Sequence, residues 1–169
     1  MRILMMPDYR PDNPYQQLLA QGLLDQDGQV EFPEGYRRVF PITRACLDHA
    51  PVDVLHLHWL GPYLKGQTWA VKAVYAAKLL MDLFCVRQKG IRIVWTVHNK
   101  VSHDTNVPEL QRWIRRGVAR LADRLIVHDE ATRREVAETY RITTEKIHVI
   151  PHGHYRDVYG DSVPKAEAR

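Results

Sequence analysis

Short apolar runs alternate with longer stretches of helical period along this chain, and that alternation limits its fold more than any other feature. Arg2 to Met6, Val30 to Phe32, Val52 to Leu57, Ile91 to Val97, Arg124 to Val127 and Lys146 to Ile150 read as strands. Between them, Tyr15 to Leu24, Arg38 to His49, Thr68 to Gln88, Leu110 to Leu121 and the segment from Asp129 to Tyr140 read as helices. Leu18, Leu19 and Leu23 share one side of the first helix, Gly90 gives the third a stop, and Asp129 can cap the fifth. The fourth is the most regular, with Leu110, Trp113, Ile114, Gly117, Val118 and Leu121 on one stripe and Arg112, Arg115, Arg116 and Arg120 off it. This order predicts an α/β fold: a doubly wound, Rossmann-like parallel sheet of about six or seven strands, covered on both faces.

At 169 residues the chain is sized for one such domain. We place it at residues 1–160, with 161–169 a frayed polar tail or the start of an interdomain linker. The composition, 45% hydrophobic and 26% charged, is ordinary for a soluble globular protein. Lysine and arginine exceed aspartate and glutamate by 24 − 20 = 4. That excess is well short of a nucleic-acid patch and suits an anionic small molecule or an acidic membrane surface. Cys46 and Cys85 match no metal or redox spacing and read as reduced thiols of a cytosolic protein. The opening MRILMMPDYRP has too short an apolar stretch for a signal peptide. Thr68 to Arg87 comes nearest to a membrane span, but it carries Lys72, Lys78 and Asp82 and reads as a buried or interfacial helix.

Function is expected at one rim of the sheet. In open parallel sheets, ligands bind beyond the carboxyl ends of the strands. Here those ends carry Asp8-Tyr9, His58-Trp59, His98-Asn99, His128-Asp129 and His152-Gly153-His154. Of nine histidines, only His49 and His148 fall away from strand ends or the loops after them. The turn after the first strand, MPDYRPDNPY, has no glycine, so the dinucleotide fingerprint is missing, as are a P-loop and a G-x-S-x-G elbow. Asp25-Gln26-Asp27 has the D-x-D form of metal-dependent sugar transferases, yet it stands where a helix ends before Gly28 and reads as an exposed turn. His56 and His58 share a strand face, but no carboxylate or cysteine supports them and no metal is expected.

The strings NPYQQLLAQGL, DVLHLHWLG, IVWTVHNKVSHD, ADRLIVHDEATRREV and IHVIPHGHY resemble, in the same order, bacterial GT-B glycosyltransferases of the family 4 type that build exopolysaccharides and related glycans. The likeness runs from about Met1 to Tyr159. It implies the N-terminal, acceptor-side half of a two-domain enzyme. Such enzymes hold their nucleotide-sugar mainly in the second domain, so no cofactor is expected in this chain. The implied partner is a C-terminal donor-binding GT-B domain, in the same native chain or as a separate subunit. The glycine pair common in the family after the first strand is missing here.

By that resemblance, His98 is expected to be catalytic, matching the histidine that faces the donor sugar across the interdomain cleft, with Asn99 beside it as a substrate contact. The plainer alternative is a histidine hydrogen-bonded to the rim backbone. His103-Asp104 stands where relatives carry H-E or H-D. Asp104 is the best base if transfer inverts the anomeric centre, an acceptor ligand if it retains configuration, or merely a helix cap near Asn106 to Pro108. Tyr15, Trp59 and Tyr155 are expected as sugar platforms, with His58, His103, His128, His152 and His154 as polar contacts. Trp69, Trp95 and Trp113 are expected to fill core. The arginines Arg112, Arg115, Arg116 and Arg120 form a solvated face or a contact for anionic lipid.

Two classes of function remain. In one, the chain is the acceptor-binding half of a sugar transferase acting on a glycan or lipid-linked acceptor, inactive without its donor-binding half. In the other, it is a non-catalytic module that recruits a partner protein to a membrane. Both place it in the cytoplasm or peripherally at the inner face of the membrane, and neither involves nucleic acid.

Overall fold

The computed structural model, described for residues 1–35, 39–66, 68–98, 108–153 and 155, shows a six-stranded parallel sheet. Its strands are β1 (Arg2–Met6), β2 (Gln29–Glu31), β3 (Val54–Leu57), β4 (Arg92–Thr96), β5 (Arg124–Val127) and β6 (Ile147–Val149), in the spatial order β2-β1-β3-β4-β5-β6. Helices α1 (Tyr15–Leu24), α2 (Pro41–Asp48), α3 (Trp69–Gln88), α4 (Pro108–Leu121) and α5 (Glu130–Tyr140) alternate with them. The winding reverses at the boundary of β1 and β3, which makes that boundary the switch point where ligands bind in such sheets. Right-handed crossovers set α1 on one face and α2 to α5 on the other. Accordingly α2 packs on α3, α3 on α4 and α4 on α5. The doubly wound sheet predicted from the alternation is the fold observed.

The two faces of the sheet are unequal. Toward α2 to α5, Leu4, Leu55, Leu57, Ile93, Trp95, Leu125 and Ile147 are buried in one continuous core with side chains of those helices. Toward α1 the buried apolar set is small: Ile3, Met5, Tyr15 and Ala20. On β4 to β6, Val94 and Ile126 on this second face are half-buried and His148 is exposed.

Local signals explain most of the element boundaries. Thr68 accepts from Val71 N to start α3, Gly90 follows its end at φ +77°, and Asp129 accepts from Thr132 N at 2.7 Å to start α5. A Cβ on Gly117 would stand 2.8 Å from Leu80 Cδ2, so glycine there lets α4 approach α3 closely. The helix predicted from Arg38, a position outside the described residues, begins instead at Pro41. Its cap is not local: the buried carboxylate of Asp82 on α3 accepts from Ile42 N (2.9 Å), Thr43 N (2.8 Å) and Thr43 Oγ1 (2.6 Å). On α1, the buried face runs through Tyr15, Gln16 and Ala20, leaving the predicted Leu18 exposed.

Helix surfaces bring three further corrections. Trp95 fills core as expected, whereas Trp69 and Trp113 are 63% and 55% exposed. Both lie on helix positions that turn away from the sheet, because α3 is apolar nearly all round and α4 carries more apolar width than its neighbours cover. The four arginines of α4 do not form one solvated face. Arg115 is buried and bonded to the Tyr140 side chain, Arg116 donates to Thr139 O at 3.0 Å, and Arg112 and Arg120 remain exposed.

Candidate functional site

Four strands end in the same way. Counting alternate residues outward along β3, β4 and β5 puts His56 and His58, Thr96 and His98, and Ile126 and His128 on the face shared with α1. His152 follows β6. Tyr15, the first residue of α1, lies against all of these rims at once. Its ring centroid is 4.8 Å from that of His98, 4.9 Å from His152, 5.7 Å from His128 and 5.8 Å from His58. The rings then continue in sequence: His56 stacks on His58 (4.3 Å), and His98 lies 5.4 Å from His58 and 5.5 Å from His128. His128 meets His152 at 4.9 Å, and His152 meets Tyr155 at 5.2 Å. Trp59 is stacked on His98 at 4.4 Å and 10°, with Tyr9 tilted against it at 4.9 Å.

Hydrogen bonds fix the tautomers of the outer rings. His128 Nδ1 donates to Ile150 O (3.0 Å), which leaves His128 Nε2 as an acceptor, buried and without a partner among the described residues. His152 Nδ1 donates to Gly153 O (2.9 Å), so its Nε2 accepts from the Tyr155 hydroxyl (3.1 Å). Deeper in, Thr96 links the Tyr15 hydroxyl to His56 Nε2, the latter at 2.8 Å. His58 Nδ1 and His98 Nε2 share a hydrogen bond of 3.1 Å, while Trp95 Nε1 donates to His58 O.

Burial makes these imidazoles reluctant to charge. Desolvation pushes His56 down to about 4. It pushes His98 down to about 3, reinforced by neighbouring His128, His152 and His56. His58 is driven lower still, first by burial and then by repulsion from the imidazoles of His56, His98 and His128. Burial also raises the Tyr15 phenol, against the Thr96 hydrogen bond. Near neutral pH the inner rim is therefore a set of uncharged donors and acceptors. Such groups suit sugar hydroxyls, and burial weakens His98 as a proton acceptor.

Two clefts open at this end of the sheet. The one of about 340 Å³ is lined by His58, Trp59 and His98 together with Lys72, Gln111 and Arg115. The larger, about 540 Å³, lies between the end of β1, the Pro33-Glu34-Gly35 loop and α3, and its described lining includes none of the predicted site residues. Tyr15, His58, Trp59, His98, His128, His152 and Tyr155 are thus brought together as one assembly. Asn99, His103, Asp104 and His154 lie outside the described residues. Asp25 and Asp27 are exposed in the turn after α1, and no group of three metal-ligating side chains is gathered among the described residues.

Sequence reasoning missed three contributors. Gln16 is fully buried, accepting from Tyr9 N (2.7 Å) and donating to Pro7 O (2.9 Å), which fixes the loop after β1 against α1. Thr96 was hidden inside an apolar strand, although its place two residues before His98 put it on the same face. Gln111 offered no signal at all.

Residues 27–155 match the family described as Glycosyltransferase Family 4. No curated protein sequence matches the chain. The strand order, the polar rim at the switch point and a match over most of the chain agree, and the chain belongs to glycosyltransferase family 4.

Proposed function

We propose that this chain is the acceptor-binding half of a sugar transferase, working with a second GT-B domain that holds most of the nucleotide-sugar. The observation that carries the reading is the ring assembly at the switch point, with Trp59 supported by His98 on one face and half-exposed toward the 340 Å³ cleft. An aromatic face stacks on the apolar C–H side of a pyranose, and neutral imidazoles exchange hydrogen bonds with its hydroxyls. His98 contacts a transferring or accepting sugar as a hydrogen-bonding group. In the reaction the acceptor hydroxyl oxygen bonds to the anomeric carbon, the bond to the nucleoside diphosphate breaks, and the hydroxyl proton passes to a base.

Asp104 is our candidate for that base if the centre is inverted. In a complete enzyme, Asp104→Asn should then lower kcat on the order of 10²- to 10⁴-fold. A retained anomeric centre by NMR, or kcat within about tenfold of wild type, leaves Asp104 as an acceptor ligand. The reading as a whole is tested by mixing the isolated chain with a nucleotide-sugar and acceptor. Transfer should be absent alone and appear when a donor-binding half is supplied; rapid turnover by the chain alone overturns it.

The peripheral-membrane part of this reading rests on α3. None of the described helices is long and apolar enough to cross a membrane. Yet Val74, Met81 and Phe84 are exposed along one stripe of α3, with Trp69 and Val71 at its start. Such a helix can lie in the plane of a bilayer surface. The contact we propose is this stripe, with Arg112 and Arg120 of α4 as the exposed cations, in place of a four-arginine face. A non-catalytic membrane module would keep this contact and show no transfer with any donor half.

A further inference from the structure

The 340 Å³ cleft beside the rim has features that neutral sugar binding does not use. Besides Trp59 and His98, it is lined by Lys72 from α3 and by Gln111 and Arg115 from α4. Its described lining residues carry these two cations and no carboxylate. Arg115 is 7% exposed and is held by the Tyr140 side chain, which itself stacks on Trp95 at 5.7 Å. A guanidinium fixed in this way is pre-organised for an anion, because its donors keep one geometry. Gln111 is 9% exposed, and its Oε1 is buried with no hydrogen-bond partner among the described residues. An acceptor left buried in that state costs stability until a donor meets it, and sugar hydroxyls are donors of the right kind.

We propose that this cleft is a subsite for an anionic sugar. Its phosphate or carboxylate is taken by Lys72 and Arg115, an adjacent hydroxyl donates to Gln111, and the ring lies against Trp59. The inference rests on the acceptor-binding reading above and narrows it, since the acceptor must then carry negative charge at the sugar itself. His98, kept neutral by burial, adds hydrogen bonds without adding charge.

The test titrates the 169-residue chain with glucose 1-phosphate, glucuronate, methyl glucoside and inorganic phosphate, followed by amide NMR shifts and calorimetry. At least one anionic sugar should bind about tenfold or more tightly than methyl glucoside, because charge-assisted hydrogen bonds are the strong ones. The preference should shrink as salt is raised. The tighter of the two anionic sugars identifies phosphate or carboxylate as the group recognised. Lys72→Gln and Gln111→Glu should each abolish the preference with the circular dichroism spectrum unchanged. These two variants carry the test, because the bond from Arg115 to Tyr140 ties Arg115 to folding. Equal binding of methyl glucoside and both anionic sugars overturns the inference and leaves the acceptor-binding reading standing. Inorganic phosphate bound as tightly as glucose 1-phosphate, and indifferent to Gln111→Glu, means an adventitious ion only and also overturns it. Failure of every sugar to bind overturns the inference and the acceptor-binding reading together.

Discussion

The rim and the outer face of α3 depart from the usual distribution of side chains in opposite directions. At the rim, polar groups are buried: His56, His58 and Thr96 are all nearly inaccessible. On α3, apolar groups are exposed, with Val74, Met81 and Phe84 each about half or more in solvent. Buried polar groups and clustered exposed apolar ones are the two departures that carry information, since a lone exposed leucine is ordinary. Both cost free energy in the domain by itself. The rim is suited to a ligand rich in hydroxyls, and α3 to an apolar surface.

The comparison breaks first at His98. In a complete enzyme His98→Ala should lower kcat/KM by about one to three powers of ten, roughly 1.4–4 kcal/mol of transition-state stabilisation. His98→Phe keeps a ring against Trp59 but removes the hydrogen bonds. An equal loss in both variants assigns the effect to hydrogen bonding; recovery in the phenylalanine variant means that the ring only props Trp59, and the rim is packing rather than recognition.

Acid should expose the strain of the rim next. The folded state holds His56 near 4 and His98 near 3, both below the ordinary histidine value, so on acidification the unfolded chain takes up protons first. Stability is therefore full above about pH 6.5 and falls as the pH drops toward 4. Between pH 7 and pH 5 the loss should be about 2 kcal/mol from His56 alone, read as a drop in the denaturant midpoint. His56→Gln should flatten that slope. A midpoint unchanged between the two pH values would show that the imidazoles are not held neutral.

The smallest effect on the fold belongs to α3. Met81→Ser together with Phe84→Ser should shift folding stability by less than about 0.5 kcal/mol each, as exposed positions do. The same pair should weaken binding to vesicles of anionic phospholipid by about tenfold or more, since each large apolar side chain contributes about 1.5–3 kcal/mol when buried. Unchanged vesicle binding would remove α3 from the comparison and leave its exposed stripe without a role.

Much of this was legible in the sequence, and the reasons differ by element. β1, α1 and β5 have the predicted bounds because a short apolar run or a helical period is a local property. The start of α2 was not legible, because its capping carboxylate comes from Asp82, forty residues along the chain. Periodicity locates α3 and α4, but α3 is apolar nearly all round and Trp113 stands at the outer edge of the α4 stripe, so the pattern alone does not turn Trp69 and Trp113 outward. The histidines of the rim were legible as strand ends. Their closure around Tyr15 was not, because it depends on α1 crossing back over the switch point. The inward turn of Arg115 is also not legible, because it depends on α4 packing against Tyr140 of α5.

The Asp82 carboxylate also bears on how this domain can be recombined. Three donors at the start of α2 depend on one side chain of α3, so the two helices are not separable parts. A chimera that imports α3 from a relative lacking a carboxyl group at position 82 leaves the start of α2 without its acceptor. One that imports an α2 starting elsewhere leaves the buried Asp82 side chain without its donors, and an unpaired buried polar group costs about 1–3 kcal/mol. The smallest exchangeable unit on this side of the sheet is the whole stretch from Pro41 to Gln88, with β3 inside it.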